Sequence, residues 1–342
     1  MVKISLIGAA GQIGTPLSLL CKTSDIFDEI SLYDIVHVPG IATDLMHIDT
    51  RAKVSGYLPD DGGLKKALTG ANIVVVTAGI ARKPGMTRDD LFKTNAGIIR
   101  DIFVQVAETC PDAIACVVTN PVNSTVPVAA ETLRKAGVFE PTRLFGVTTL
   151  DVVRASTFAA HALGGKADPK HYKVPVIGGH SGATILPLYS QAEPAIDLSD
   201  EQLAPVINRE FPGGLSQDHM LKTRLGVQFG GDEIVKSKQG AGSATTCMAY
   251  AGFRFVKALV AAQNGQSVSE EAYVYLPGVP GGQEIAAQLG VDYFAVKVEI
   301  GKNGASKALP IGNLSVSEEK LLEVALSDLK TNISTGVSFM RA

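Results

Sequence analysis

Short runs of apolar, often β-branched residues recur through the first half of the chain, and each is long enough for one buried strand. Between these runs the apolar positions take the three- and four-residue spacing of a helix with one buried face. Alternating strands and helices predict a parallel sheet with crossover helices. In residues 94–109 the apolar positions of the predicted helix are Ile98, Ile99, Ile102, Phe103 and Val106. The predicted strands are residues 4–7, 30–33, 73–77, 114–119 and 144–147.

The second half of the chain has a different pattern, which we interpret as a separate α+β domain. A helical stretch at residues 151–163 and a strand at residues 174–177 are followed by longer polar loops. Another helix is predicted at residues 241–262. Ser315 and Glu318 have the spacing of a capping box, which predicts the start of a C-terminal helix.

Composition limits the classes of protein to which this chain can belong. Of its 342 residues, 46% are hydrophobic and 19% are charged, which is enough for roughly two domains with sizeable cores. The formal net charge of -3 argues against nucleic acid as a partner, because a protein that binds nucleic acid needs a strongly basic face. No apolar run approaches the roughly eighteen residues of a membrane span, so no membrane partner is expected.

The N-terminal residues and the cysteines bear on the compartment. Residues 1–7 enter a strand at once, without the pattern of a secretory signal or of a transit segment. We therefore expect a cytoplasmic protein, or a mitochondrial one if a presequence was removed. The four cysteines have no metal-ligand spacing and are too sparse for a disulfide framework, so we expect no metal and reduced core thiols. They are Cys21, Cys110, Cys116 and Cys247.

A glycine-rich turn follows the first predicted strand directly. Glycines at this spacing allow a tight turn, close approach of the backbone to a pyrophosphate, and close packing of a helix on a strand. The turn therefore predicts a dinucleotide site. The fold class is then α/β, with a Rossmann-type doubly wound parallel sheet in residues 1–149 and an α+β substrate domain in residues 150–342. The turn consists of Gly8, Ala9, Ala10, Gly11, Gln12, Ile13 and Gly14.

Asp34 stands twenty residues after Gly14, at the end of the second predicted strand. An acidic side chain at this place accepts hydrogen bonds from the ribose hydroxyls of the adenosine and repels a 2′-phosphate. A lone Asp at a strand end is common and means little by itself. Together with the glycine-rich turn, however, Asp34 predicts NAD rather than NADP as the cofactor.

Three cations, Arg82, Lys83 and Arg88, lie within seven residues shortly after the third predicted strand. The planar donors of Arg match a carboxylate or a phosphate, so a loop with two of them suits a small, doubly charged anion. A solvated basic loop is the commoner meaning of such a cluster taken alone. A Pro-Gly pair separates the two Arg residues, and we expect residues 78–92 to be mobile when empty and to close over cofactor and substrate.

Asp151 and Arg154 are three residues apart on one predicted helix, so their side chains share a face. His180 follows a predicted strand, and Gly179 and Gly182 leave it room to point into a cleft. Hydride transfer from a secondary alcohol requires the hydroxyl proton to leave, and His is a suitable acceptor. Asp151 would orient the imidazole, and Arg154 would pair with a substrate carboxylate. The other five histidines are expected to be surface or helix residues.

These segments resemble the NAD-dependent malate dehydrogenases of the lactate/malate dehydrogenase superfamily, in the branch that contains mitochondrial, glyoxysomal and related bacterial enzymes. The resemblance extends through nearly the whole chain. It implies reversible oxidation of (S)-malate to oxaloacetate with NAD, a reaction of the tricarboxylic acid cycle, and a homodimer or homotetramer. It is specific in the glycine-rich turn and in residues 81–88, 119–124, 146–154 and 176–182.

The resemblance also implies a role for each matching residue. Arg82 would hold the distal carboxylate of the substrate, Arg88 would polarise the reacting C2 oxygen, and Arg154 would hold the proximal carboxylate. His180 and Asp151 would be the proton-transfer pair. The other implied contacts are Asn120 with the substrate and, with NAD, the seven residues of the glycine-rich turn, Asp34, Asn95, Val118, Thr119, Asn120 and Met248.

Two other functions stay open. A lactate or other 2-hydroxy acid dehydrogenase would keep the same chemistry, and Arg82 discriminates because the related lactate enzymes carry Gln there. A buried Arg with no carboxylate opposite it would be an uncompensated charge, so the site should reject lactate and pyruvate. The more distant alternative is a non-catalytic NAD-binding regulatory protein, since a fold does not by itself imply a function.

Three local features add expectations of their own. Gln12 takes a site that is often Gly in relatives, and its side chain is expected to point to solvent. The Asn120-Pro121 peptide bond follows a strand and is predicted to be cis, which would aim Asn120 at the substrate. The segment at residues 210–226 looks longer than the usual connection of the family, with no function assigned to it.

Overall fold

The structure is a computed structural model that describes residues 2–80, 88–165, 168–199, 203, 206 and 226–341, and for Arg88 and Asp89 the backbone only. In the first part, strands and helices alternate as predicted. The strands are β1 (Lys3–Ile7), β2 (Glu29–Tyr33), β3 (Lys53–Tyr57), β4 (Ile73–Val76), β5 (Ile114–Val117) and β6 (Leu144–Gly146). The helices are α1 (Gly14–Thr23), α2 (Val38–Met46), α3 (Gly63–Leu68), α4 (Arg88–Thr109) and α5 (Val122–Lys135).

The second part mixes long antiparallel strands with helices. Its strands are β7 (Val176–Gly178), β8 (Ile185–Pro187), β9 (Val268–Tyr275), β10 (Tyr293–Gly301) and β11 (Gly304–Ala308). Its helices in the described residues are α6 (Thr149–Ala162), α7 (Gly230–Ser237), α8 (Thr246–Gln263), α9 (Gly282–Leu289) and α10 (Val316–Phe339).

The first six strands form a parallel sheet in the order β3-β2-β1-β4-β5-β6. This is the doubly wound Rossmann order, in which the chain reverses direction across the sheet between β1 and β4. Ligands of such sheets bind at that reversal, beside the carboxyl ends of the strands. Val74, Val75 and Val76 of β4 are fully buried, as expected for a strand with helices on both faces. The predicted fold class is confirmed.

The same sheet continues into the second part of the chain. Gly146 at the end of β6 pairs with Tyr273 of β9 in antiparallel orientation. A side chain at Gly146 would collide, because its Cβ would lie 2.7 Å from Val122 and 2.9 Å from Tyr273. β9 then pairs with β10 over eight residues, and β10 with β7 and β11. The sequence analysis did not predict β3, β8, β9, β10 or β11.

Several predicted boundaries were wrong, and two of them lie in the second half of the chain. The strand expected at residues 174–177 is β7, which begins at Val176 and ends at Gly178. The helix expected from residue 241 is α8, which begins only at Thr246. Gly240 and Gly242 have positive φ angles of 81° and 125°, and these conformations cannot continue a right-handed helix.

The C-terminal helix begins as predicted. Ser315 and Glu318 form a capping box, in which each side chain accepts from the backbone N–H of the other residue. Glu318 is buried and also accepts from the backbone N–H and the hydroxyl of Ser190. The capping box therefore fixes α10 against the segment that follows β8.

Most of the free thiols lie in the interior of the fold. Cys21, Cys110 and Cys116 are buried, whereas Cys247 is only partly buried. Burial raises the pKa of the Cys110 thiol to about 11, and that of the Cys21 and Cys116 thiols further. Within the part of the chain that the structure describes, no helix is long and apolar enough to cross a membrane.

Candidate active site

The glycine-rich turn packs closely against the end of β4. A Cβ on Gly8 would lie 2.4 Å from the backbone nitrogen of Ala78, and a Cβ on Gly14 would lie 2.1 Å from the carbonyl oxygen of Gly8. Gly8 also has a φ of 93°, which L side chains rarely adopt. Glycine is therefore required at both positions, and the turn presents backbone at the carboxyl ends of β1 and β4.

Asp34 directly follows β2 and reaches the same turn. Its Oδ2 accepts from the backbone N–H of Ala10 at 2.9 Å, and its Oδ1 accepts from the backbone N–H of Ile35 at 2.7 Å. The carboxylate is half-buried beside the glycine-rich turn. Gln12 is exposed, as predicted, and lies close to Gly242.

Polar side chains tie together the ends of β4 and β5. The Thr119 hydroxyl donates to the carbonyl oxygen of Ala78 at 2.7 Å. The Asn95 amide accepts from the backbone N–H of Ile80 at 2.9 Å and donates to the carbonyl oxygen of Asn120 at 2.7 Å. Thr119 and Asn95 are buried, and their side chains fix the backbone just beyond the ends of β4 and β5.

Three more residues that the resemblance assigned to the site differ from one another in their exposure. Asn120 is exposed at the end of β5, and its peptide bond to Pro121 is cis, as predicted. Val118 and Met248, which the resemblance assigned to the NAD site, are buried in the main hydrophobic core. The two residues are 3% and 4% exposed, about as buried as Thr119 and Asn95.

His180 lies in the loop after β7 and forms a hydrogen-bonded pair with Asp151 of α6. The distance between His180 Nδ1 and Asp151 Oδ2 is 2.5 Å. The Asp151 side chain is completely buried and that of His180 is 8% exposed. A buried carboxylate at this distance holds the imidazole in one orientation and directs Nε2 away from it.

Arg154 lies one helical turn from Asp151, with 3.7 Å between its Nη1 and Asp151 Oδ1. Among the described residues, neither Asp151 Oδ1 nor Arg154 Nη2 has a hydrogen-bond partner, although both atoms are buried. A Cβ on Gly230 would lie 3.0 Å from Arg154 Nε, so glycine at this position admits the guanidinium. A buried guanidinium donor without an acceptor is suited to an anionic ligand.

Asn123 is a site residue to which the sequence analysis assigned no role. It lies in the first turn of α5, and its Oδ1 accepts from the backbone N–H of His180 at 2.8 Å. The only sequence signal was its place in the 119–124 segment, three residues after Asn120. Contacts between distant segments have no local pattern, so this one needed the folded chain.

Some predictions lie outside the described residues. They concern Arg82 and Lys83, the side chain of Arg88, the closure of the loop that carries them, and nearly all of the segment at residues 210–226, including His219. The remaining histidines outside the site are exposed, as predicted. They are His37, His47, His161 and His171.

Two family profiles match nearly the whole chain. Residues 2–146 match the profile of the lactate/malate dehydrogenase NAD binding domain, and residues 148–340 match that of the lactate/malate dehydrogenase alpha/beta C-terminal domain. The mitochondrial malate dehydrogenase of Schizosaccharomyces pombe is 48% identical over 339 residues, which cover 99% of this chain and 91% of that protein.

Comparisons of the fold give the same result. The malate dehydrogenase of Picrophilus torridus in its apo form has a TM-score of 0.80 and 25% identity, with coverage of 99% of this chain and 98% of that one. The lactate dehydrogenase of Cryptosporidium parvum, solved with lactic acid and cofactor, has a TM-score of 0.75 and covers 100% of this chain and 98% of that one. At 23% identity it is similar in fold alone. The chain belongs to the lactate/malate dehydrogenase family and is an oxidoreductase that uses NAD.

The residues at the nucleotide end fit this cofactor. The close packing at Gly8 and Gly14 leaves the backbone of the turn free to approach a pyrophosphate. The half-buried carboxylate of Asp34 is beside that turn, where it can accept from ribose hydroxyls. A 2′-phosphate would be repelled there, which favours NAD over NADP.

Proposed function

We propose that this chain catalyses the reversible, NAD-dependent oxidation of (S)-malate to oxaloacetate. The observation that carries the proposal is the 2.5 Å contact between Asp151 and His180 in a chain with a Rossmann nucleotide crevice. A binding protein without catalysis has no need for a proton acceptor oriented in this way. The names of the similar proteins support the same reaction.

In the proposed mechanism, His180 accepts the proton of the substrate hydroxyl at Nε2. Bound NAD supplies the acceptor for the hydride that leaves C2, so the carbon is oxidised and the cofactor is reduced. Asp151 holds Nδ1 and stabilises the positive charge that the imidazole gains. In the reverse direction His180 returns the proton to the C2 oxygen of oxaloacetate.

The two substrate carboxylates would be held by separate Arg residues. Arg154 is assigned to the proximal carboxylate, and its buried, unpartnered Nη2 supports that assignment. Arg82 is assigned to the distal carboxylate and Arg88 to the C2 oxygen, both by resemblance alone. Asn120, exposed at the end of β5, is assigned a hydrogen bond to the substrate. Since lactate lacks the distal carboxylate, Arg82 decides the choice of substrate.

The remaining parts of the proposal concern organisation. Residues 1–149 would bind NAD through the glycine-rich turn, Asp34, Asn95 and Thr119, and residues 150–342 would carry the catalytic groups. The active form would be a homodimer or a homotetramer. We place the protein in the cytoplasm, or in mitochondria if a presequence was removed, as the name of the relative from Schizosaccharomyces pombe suggests.

The test is steady-state oxidation of NADH in the presence of oxaloacetate, for the wild type and for His180→Gln. Loss of the proton donor should lower kcat by about 10²–10⁴-fold. His171→Gln is the matched control, because His171 is an exposed His on the same part of the chain. Turnover that is absent in the wild type, or equal in wild type and His180→Gln, would refute the proposal.

A further inference from the structure

Asn123 is 1% exposed and lies where three segments meet. Its Oδ1 accepts from the backbone N–H of His180 at 2.8 Å. Because a backbone N–H can only donate, this contact fixes which end of the amide is oxygen. The Nδ2 group then faces three acceptors, which are Ser181 Oγ at 3.0 Å, Thr184 Oγ1 at 3.1 Å and Asn332 Oδ1 at 3.0 Å.

The loop that carries His180 is rich in glycine. Gly178 and Gly182, on either side of His180, have φ angles of 102° and 48°. A Cβ on Gly179 would lie 2.6 Å from Asn123 Oδ1, so glycine at this position allows the amide to approach the loop. A glycine-rich loop loses much entropy on ordering, and a buried side chain that bonds to its backbone offsets that cost.

His180 is therefore held at two separate points. Asp151 of α6 holds the ring through Nδ1, and Asn123 of α5 holds the main chain from which the ring projects. Asp151 alone fixes the position of Nδ1, but the imidazole can still pivot about that contact if the main chain shifts. The distance from Nε2 to a substrate oxygen depends on both anchors.

We propose that Asn123 is a positioning residue for proton transfer, which acts by fixing the main chain of His180. The proposal rests on the proposed function, because it assigns Asn123 to the step in which His180 exchanges a proton with substrate. A displacement of about 1 Å in such a group costs about 10²-fold in rate. In the described part of the chain, the hydrogen bonds of the Asn123 side chain go to His180, Ser181, Thr184 and Asn332 and not to the nucleotide turn, so cofactor binding should be unaffected.

Ser124 provides a matched control. It is the next residue of α5, it is buried, and its hydroxyl donates to the carbonyl oxygen of Asn332 at 2.8 Å. Ser124→Ala therefore removes one α5–α10 hydrogen bond of the kind that Asn123→Ala also removes. It leaves the contact with His180 intact. A purely structural role would make the two variants alike once their losses of thermal stability are compared.

The kinetic test uses oxaloacetate and NADH with the full-length wild type, Asn123→Ala, Asn123→Asp and Ser124→Ala. We expect Asn123→Ala to lower kcat by about 10²-fold, to leave the KM for NADH within about twofold, and to raise the primary isotope effect with deuterated NADH. Asn123→Asp keeps an acceptor for the His180 N–H and should recover at least about tenfold of the loss. Ser124→Ala should stay within about threefold of the wild type.

A second measurement does not depend on activity. Hydrogen exchange of the His180 backbone amide, followed by NMR on the ligand-free proteins, should be at least about tenfold faster in Asn123→Ala than in wild type, Asn123→Asp and Ser124→Ala. If Asn123→Ala does not fold, Asn123→Ser replaces it, because its shorter side chain cannot reach the His180 amide.

The outcomes separate the two proposals. Equal losses of kcat in Asn123→Ala and Ser124→Ala, no recovery in Asn123→Asp, or unchanged exchange of the His180 amide would each overturn the role of Asn123. An inactive wild type would instead refute the proposed function, and the exchange rates would still decide whether Asn123 anchors the loop.

Discussion

The carboxylate of Asp151 and the imidazole of His180 form a hydrogen bond, with 2.5 Å between Oδ2 and Nδ1, although the two residues are 29 positions apart in the sequence. Asp151 belongs to α6 and His180 to the loop after β7, so the pair exists only because the chain folds these elements together. Asp151 is completely buried, and among the described residues its Oδ1 has no hydrogen-bond partner. The pair thereby determines which ring nitrogen is available to a substrate.

Replacement of Asp151 by Asn tests the orientation of that ring. The variant keeps the shape of the side chain but removes the charge that holds Nδ1–H, so the imidazole can adopt the wrong tautomer. We expect kcat for oxaloacetate reduction to fall by about 10²–10⁴-fold. Asp168→Asn is the control, because Asp168 is exposed and its carboxylate accepts from the backbone N–H of Lys170. Equal activity of Asp151→Asn and Asp168→Asn would contradict this account.

Asp34 is predicted to select NAD over NADP. Asp34→Ser removes the negative charge, so the ratio of kcat/KM for NADPH to that for NADH should rise by about tenfold or more. Asp28→Ser is the control, because Asp28 precedes β2 and its Oδ2 likewise accepts from a backbone N–H, that of Val2 at 2.7 Å. An unchanged ratio in Asp34→Ser, measured from initial rates with both cofactors, would mean that Asp34 does not discriminate between NADH and NADPH at the ribose.

Gly14 is predicted to be essential for packing of the nucleotide turn. In Gly14→Ala the new Cβ would lie 2.1 Å from the carbonyl oxygen of Gly8, and no flexible side chain can move to relieve the clash. The free energy of unfolding, measured in urea, should fall by about 3 kcal/mol or more. Gly40→Ala in α2 is the control, since a Cβ there meets nothing within 4 Å, and it should stabilise by about 0.5–1 kcal/mol. A tolerated Gly14→Ala would contradict the observed packing.

Glu271 on β9 is predicted to destabilise the protein at alkaline pH. Burial raises the pKa of its carboxyl to about 7, the charge of Glu270 adds to the rise, and Lys297 and Arg254 oppose it. Because this pKa is higher in the folded than in the unfolded chain, the folded state retains a proton that the unfolded state has released. Stability therefore decreases as the pH rises from about 4.5 to about 7.

Glu271→Gln removes that cost of ionisation. We expect the variant to raise the free energy of unfolding by about 3 kcal/mol at pH 8 and by under about 1 kcal/mol at pH 5. Urea denaturation at the two pH values measures both. Glu299→Gln on β10 is the control because Glu299 is exposed, and it should change little at either pH. An equal effect of Glu271→Gln at both pH values would rule out ionisation as the cause.

The sequence predicted those parts of the fold that have a local pattern. Continuous apolar runs predicted β1, β2, β4, β5 and β6, since strands buried on both faces carry such runs. The capping box predicted the start of α10. By contrast, β9 contains two adjacent acids, Glu270 and Glu271, and they are buried there because β9 pairs with β10 and Arg254 bonds Glu270 through two donors. No local sequence pattern predicts such a strand.

Some residues of the candidate site likewise follow a local sequence pattern, and others do not. Gly8, Gly14 and Asp34 follow strands in a recognisable spacing, and the structure brings them together at one edge of the sheet. Asn123 is different, because the four polar contacts of its side chain reach residues from 57 to 209 positions away. Only the folded chain shows that this Asn holds the loop of His180.

The most direct test of the central claim is the ratio of kcat/KM for oxaloacetate to that for pyruvate, measured with NADH for the wild type and for Arg82→Gln. A site built for a dicarboxylate should prefer oxaloacetate by about 10³-fold or more, since pyruvate has no carboxylate to pair with the Arg that is assigned to the distal end of the substrate. Arg82→Gln should shift the preference toward pyruvate. Comparable turnover of both substrates by the wild type, or an unchanged ratio in Arg82→Gln, would contradict the assignment of a dicarboxylate substrate.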